Sequence, residues 1–205
     1  MFLILDFTRS LQLALINNKQ FETKKIETKK NISEILIVEI DKFLNKSKVN
    51  INKIKSIFVI TGPGSFTGIR SALTFAKSLR LTSKVNVVGI SKFEVINFKT
   101  KISKKKCILL HFKNNQFYAQ TFKSNKALDE VRLLNFDNQK FRYDKHTLYI
   151  YDNIVFEKSL ENKVTENMKK NFLLVKYSLT EIEEIILKNT IDNSDPKPLY
   201  ISNYF

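Results

Sequence analysis

Gly62-Pro63-Gly64-Ser65-Phe66-Thr67-Gly68-Ile69-Arg70 holds three of the four glycines in a chain of 205 residues; the fourth is Gly89. Glycine is used where the backbone must take a positive φ, or where another group comes closer than a Cβ allows. A chain this poor in glycine that concentrates it here is building a tight, special turn. The stretch leaves the apolar segment Ser56-Ile57-Phe58-Val59-Ile60 and enters a helical pattern that begins near Ser65. It therefore reads as a corner between a strand and a helix.

Strand-to-helix turns aim free N–H groups at anions, so a phosphate cradle is one reading of this corner. It is not a P-loop, which needs its second glycine followed by Lys and then Ser or Thr; here Gly68 is followed by Ile69 and Arg70. Nor is it a nucleophile elbow, because Pro63 and Thr67 stand where glycines flank the serine of that motif. A tight corner in which Ser65 or Thr67 caps the helix is the plainer reading.

Upstream, 2–7 and 11–16 read as buried strands, and 20–28 as an edge-like strand with lysines on its wet face. Asn31 with Glu34 three residues later resembles a capping box, and 32–44 follows at helical spacing. Ile37 and Val38 extend its apolar surface beyond one stripe. The helix from Ser65 to about Leu81 places apolar residues over more than half its circumference, where a helix lying on a sheet needs a stripe about 100° wide. A second contact surface and a helix sandwiched within its own domain explain that excess equally. Downstream, 85–88 reads as a strand and 91–97 as a short helix. The basic run 99–106 marks a boundary between halves, 1–103 and 104–205. Strands at 107–112 and 116–122 flank Asn114-Asn115; a strand at 148–151, a helix at 180–187 and a short strand or tail at 199–201 follow.

Composition narrows the function classes. The hydrophobic fraction of 43% is enough for a real core. The apolar N-terminus is interrupted by Asp6 and does not read as a signal peptide, and no apolar run reaches the roughly 18–20 residues of a membrane span. One cysteine, Cys107, excludes an internal disulfide, fits a cytoplasmic protein, and reads as a small buried residue. His111 and His146 are the only histidines and are far apart, so the sequence offers neither a zinc site nor a Ser–His–Asp triad, and no catalytic residue is assigned. A metallopeptidase reading fails on the same ground. The net charge of +15 invites a nucleic-acid reading. The lysines are scattered, however. The clusters Lys24, Lys25, Lys29, Lys30 and Lys104, Lys105, Lys106 lack the interleaved aromatics that stack bases.

Residues 62–70 resemble the signature of the TsaB family, the non-catalytic partner in bacterial tRNA threonylcarbamoyladenosine synthesis. Asp6 on the first strand, Ala76-Lys77-Ser78-Leu79 on the second helix, the strand pair ending near Tyr118, and Pro198-Leu199-Tyr200-Ile201 agree with it. The chain departs from the family at Asp6-Phe7-Thr8-Arg9-Ser10, at Ile32, His111 and Lys113, and at Ala72 and Ser78, which replace helix glycines. The resemblance implies an α/β actin-like (ASKHA, ribonuclease H-like) fold with a degenerate second half. It implies pairing with TsaD as a heterodimer, assembly with TsaE, contact with tRNA only through that complex, and a homodimer as one state of the lone chain. It implies no metal and no cofactor. The side chains expected at the partner interface are Ile35, Ile40, Phe66, Ile69, Ala72, Leu73 and Ala76. The other reading kept is an ATP-binding ASKHA enzyme that uses Asp6 and the glycine loop. Against it, the chain has no glycine after Gly89 from which to build a second phosphate hairpin.

Overall fold

A computed structural model describes residues 1–17, 20–28, 30–135, 143–152, 165–187 and 195–199. Contacts divide these into two units, Met1–Lys92 with Leu179–Leu199, and Phe93–Ser178. The sequence reading draws a single boundary at 103/104.

The first unit is built on a five-stranded sheet of β1 (Phe2–Asp6), β2 (Leu11–Asn17), β3 (Gln20–Ile26), β4 (Ser56–Ile60) and β5 (Asn86–Ile90), in the order β3-β2-β1-β4-β5. β1 is central, antiparallel to β2 and parallel to β4. Both of its faces are covered, which is why it reads as a continuous apolar run. β3 is the edge strand, and its alternating exposure matches its lysine-bearing sequence.

Helices α1 (Ile32–Lys46) and α2 (Phe66–Ser83) contribute to one core with the sheet. Leu3, Leu5, Leu13, Ile57 and Val59 come from the strands and Phe7 from the turn after β1; Leu36, Ile40, Phe43, Ile69, Ala72, Leu73 and Ala76 come from the helices. Phe75 and Leu79 add to it from the flank of α2, so most of that helix's wide apolar surface is used inside its own unit. Asn31 does precede α1, but its side chain does not cap the helix; it donates to Glu34 Oε1 at 2.8 Å instead. The capping-box expectation fails there: no side-chain oxygen of Asn31 meets a helix N–H, and the Glu34 N–H donates to the Asn31 main-chain carbonyl at 3.1 Å instead. The C-terminal stretch of this unit contains a helix at Thr180–Leu187, as the sequence reading expects.

The second unit holds α3 (Lys92–Thr100) from Phe93 onward, and the sheet strands β6 (Lys105–Lys113), β7 (Gln116–Lys123), β8 (Lys126–Ala127), β9 (Arg132–Asn135), β10 (Leu148–Tyr151) and β11 (Phe172–Leu174). The sheet runs β11-β10-β6-β7, and β8 and β9 both pair with the free edge of β7. With β8 and β9 taken as one broken strand, the order and the parallel or antiparallel sense repeat those of the first unit. Its core joins Cys107, Leu109, Phe117, Ala119, Tyr149 and Tyr151, and Tyr149 stacks on Phe172 at 4.9 Å. Among the described residues its only helix between strands is the single turn Glu166–Lys169. The sequence reading finds β6, β7 and β10; the very short β8, β9 and β11 escape it.

Candidate functional site

The glycine corner is closed by the turn that follows β1. Gly64 lies so near Thr8 that a Cβ would stand 2.8 Å from Thr8 Cα and closer still to its carbonyl oxygen. Gly68, in the first turn of α2, presses on the carbonyl oxygen of Phe7, and a Cβ there would also meet Phe7 Cβ at 3.2 Å. Gly62 has a φ of +122°, which side-chain-bearing residues rarely adopt, and the Gly62–Pro63 peptide is cis. The Ser65 N–H donates to Thr8 O at 2.7 Å, and Ser65 Oγ accepts the Gly68 N–H at 3.2 Å as the cap of α2. Of the two sequence candidates, Ser65 is the cap, and Thr67 faces solvent.

Two N–H groups that an anion would need are therefore used inside the corner, and main chain fills the space against Gly64 and Gly68. Asp6 is buried and turned into the same structure: its Oδ1 accepts the Thr8 N–H at 3.0 Å and the Thr8 hydroxyl at 2.6 Å. The corner acts as a rivet between the β1–β2 turn and α2. The segment Asp195–Leu199 is fastened beside it. The Leu199 N–H donates to Thr61 O at 2.9 Å, Asp195 bridges Lys77 and Arg80 of α2, and Gly89 clears room for Pro196.

The open surface lies on the outer side of α1 and α2. A groove of about 530 Å³ runs between them, lined by Ser33, Leu36, Ile37, Phe66, Thr67, Arg70, Ser71, Thr74, Phe75 and Ser78. Its floor along α2 is made of the short side chains Thr67, Ser71, Thr74 and Ser78, at three- and four-residue spacing, which would let another backbone approach closely. Ile37 is 67% exposed, Phe66 54% and Val38 51%, and the Arg70 guanidinium covers the Phe66 ring at 3.8 Å. Exposed apolar side chains clustered on one face are the informative exception on a protein surface.

The seven side chains expected at an interface divide sharply. Phe66 is exposed and Ile35 half-buried, whereas Ile40, Ile69, Ala72, Leu73 and Ala76 are buried in the unit's own core. Those five belong to the core shared with the sheet, where they hold the helices in place. Ile37, Val38 and the short polar residues of α2 replace them as the accessible set. Ile37 and Val38 are visible in the sequence as apolar residues off the main stripe of α1; the polar floor carries no such signal.

The remaining chemically capable side chains are dispersed. Cys107 is buried, and that burial pushes its thiol up to about 11. His111 shares a hydrogen bond with Asn114 O at 3.1 Å and packs edge-on against Phe117, while His146 is exposed. Among the described residues no three His, Cys, Asp or Glu side chains converge. The run Lys104-Lys105-Lys106 is not one basic patch. Lys106 is 1% exposed, and its Nζ donates to Ile102 O at 2.7 Å and Thr100 Oγ1 at 3.2 Å, with Asn97 O at 3.4 Å, closing the end of α3. Burial lowers its pKa.

The family model "TsaD: tRNA N6-adenosine threonylcarbamoyltransferase" matches residues 20–143. The chain is 25% identical over 194 residues to the tRNA threonylcarbamoyladenosine biosynthesis protein TsaB of Buchnera aphidicola subsp. Acyrthosiphon pisum, covering 90% of this chain and 79% of that one. It is 26% identical over 184 residues to the uncharacterized protein MG208 of Mycoplasma genitalium, covering 88% and 89%. Among solved structures it is similar to YeaZ from Pseudomonas aeruginosa, with a TM-score of 0.68 at 12% identity over 98% of this chain and 99% of the other. A second Pseudomonas aeruginosa structure, an uncharacterized protein with similarity to peptidase YEAZ, gives 0.69 at 12% over 97% and 98%. With the repeated strand order, these likenesses make the fold the expected α/β actin-like (ASKHA) fold with a reduced second half.

Proposed function

The chain belongs to the tRNA N6-adenosine threonylcarbamoyltransferase family as one of its TsaB members, and we propose that it is the non-catalytic subunit that pairs with TsaD. In that role it supports transfer of the threonylcarbamoyl group to the adenosine adjacent to the anticodon of tRNA. The observation that carries this reading is the α1–α2 face, where Ile37 and Phe66 stand exposed on a groove floored by short side chains, with Val38 exposed next to Ile37 on α1. The closed corner supports the non-catalytic part: Thr8 main chain packs on Gly64, and one oxygen of Asp6, Oδ1, is taken up by its own turn. Nothing in the site favours the other reading, an ATP-binding enzyme acting alone. TsaE joins the complex in this proposal, tRNA meets the chain within that assembly, and a second copy of the chain covers the same face when TsaD is absent. The work is cytoplasmic in this reading; among the described residues no helix is long and apolar enough to cross a membrane.

The test replaces Ile37→Glu together with Phe66→Glu and measures co-purification with TsaD. Both side chains are exposed, so the fold, followed by circular dichroism, is expected to persist. An aromatic anchor lost from an interface centre costs about 2 kcal/mol or more, roughly thirtyfold in affinity. Undiminished pairing by the folded double variant would reject this face. Millimolar ATP is expected to give no calorimetric signal with the chain alone, and clear binding would revive the enzyme reading.

A further inference from the structure

Lys105, Lys123 and Lys126 are successive partners across three strands: Lys105 faces Lys123 in the β6–β7 register, and Lys123 faces Lys126 in the β7–β8 register. Directly opposed residues share a sheet face, with neighbouring strands about 5 Å apart, so three exposed ammonium groups stand in a row. The Ser124 N–H donates to Ser103 O at 3.2 Å, which ties the loop carrying exposed Lys104 to the β7–β8 turn. Lys105 is balanced by Asp144 at 3.0 Å. Lys104, Lys123 and Lys126 have no ion pair among the described residues. Asp129, further along the same edge, is bound to Arg132 and to the Thr121 N–H.

Like charges placed directly opposite on a sheet repel and weaken it. A row of them on three strands is a feature that folding does not favour and an external polyanion would relieve. We infer that the Lys105, Lys123 and Lys126 ladder at the end of the second sheet, with Lys104 on the adjoining loop, is a contact site for the phosphate backbone of RNA. The ladder offers point charges and, in Ser103 and Ser124, small hydrogen-bonding neighbours. It has no aromatic ring among them to stack a base, so contact is with phosphates and does not read sequence. The inference rests on the proposed function only for the choice of tRNA as its probe.

The experiment compares the full chain with two triple variants of equal charge change. One carries Lys104→Gln, Lys123→Gln and Lys126→Gln; the other carries Lys46→Gln, Lys53→Gln and Lys55→Gln on the first unit. Binding to a tRNA transcript is followed by fluorescence anisotropy between 50 and 200 mM salt. The ladder variant is expected to bind about tenfold more weakly, with a log-affinity against log-salt slope shallower by about two, as the loss of three phosphate contacts requires. The control variant is expected to keep the slope of the parent. Equal weakening of both variants would reduce the effect to net charge and overturn the inference, as would an unchanged ladder variant. A ladder variant that keeps tRNA affinity but loses binding to phosphatidylserine vesicles would overturn it in favour of a membrane surface. Co-purification of the ladder variant with TsaD is read in parallel, so that failure of RNA contact and failure of the pairing reading are told apart.

Discussion

Gly68→Ala tests the corner as a rivet. On an ordinary helix the change stabilises, by up to about 1 kcal/mol, because alanine is the better helix former. Here the new Cβ would press on the Phe7 carbonyl oxygen and meet Phe7 Cβ at 3.2 Å. The obstacle is main chain at the end of a buried strand, which cannot rotate away as a flexible side-chain tip could. Overpacking of this kind costs about 1–3 kcal/mol, and a rigid backbone neighbour puts it at the upper end. The balance is a net loss of about 2 kcal/mol, or about 4–8 °C in melting temperature for a chain of this size. Urea unfolding at constant m-value measures it. An alanine variant as stable as the parent, or more stable, would refute the claim that Phe7 closes the corner.

Other outcomes follow from the same geometry. Ser65→Ala removes the cap of α2 and is expected to cost about 1 kcal/mol by the same unfolding assay. Lys106→Met leaves the Ile102 carbonyl and the Thr100 hydroxyl without their donor and is expected to speed amide exchange around the end of α3. Cys107 is expected to resist thiol reagents at pH 8 until the protein unfolds. Its thiol stays protonated in the folded protein up to about 11, against a reference of 9.0, so between these values the unfolded chain binds fewer protons and stability falls as pH rises. Cys107→Ala is expected to flatten that part of the pH–stability curve.

Much of the first unit is legible in the sequence because each element there follows one period. β1 and β4 are unbroken apolar runs, α1 repeats at helical spacing, and β3 alternates at an edge. The glycine corner announces itself by composition, but what closes on it does not. Thr8 and Phe7 lie more than fifty positions upstream, and only the parallel pairing of β1 with β4 brings them to Gly64 and Gly68. The exposure of the expected interface residues is hard to read for a related reason. A wide apolar surface on α2 says that much is buried and not what buries it; Ala72 and Ala76 face the sheet, and the outward face is lined by threonines and serines. Lys106 is hidden in a run of three lysines, yet strand alternation sends it to the face opposite Lys105. Two-residue and three-residue strands such as β8 and β11 are too short to show a period.

The pairing claim is tested most directly by native mass measurement of this chain co-expressed with TsaD. A complex that contains both chains, and that falls apart when Ile37→Glu and Phe66→Glu are introduced into a folded protein, is the expected result. Two separate masses at micromolar concentration, or a complex indifferent to those substitutions, would contradict the account.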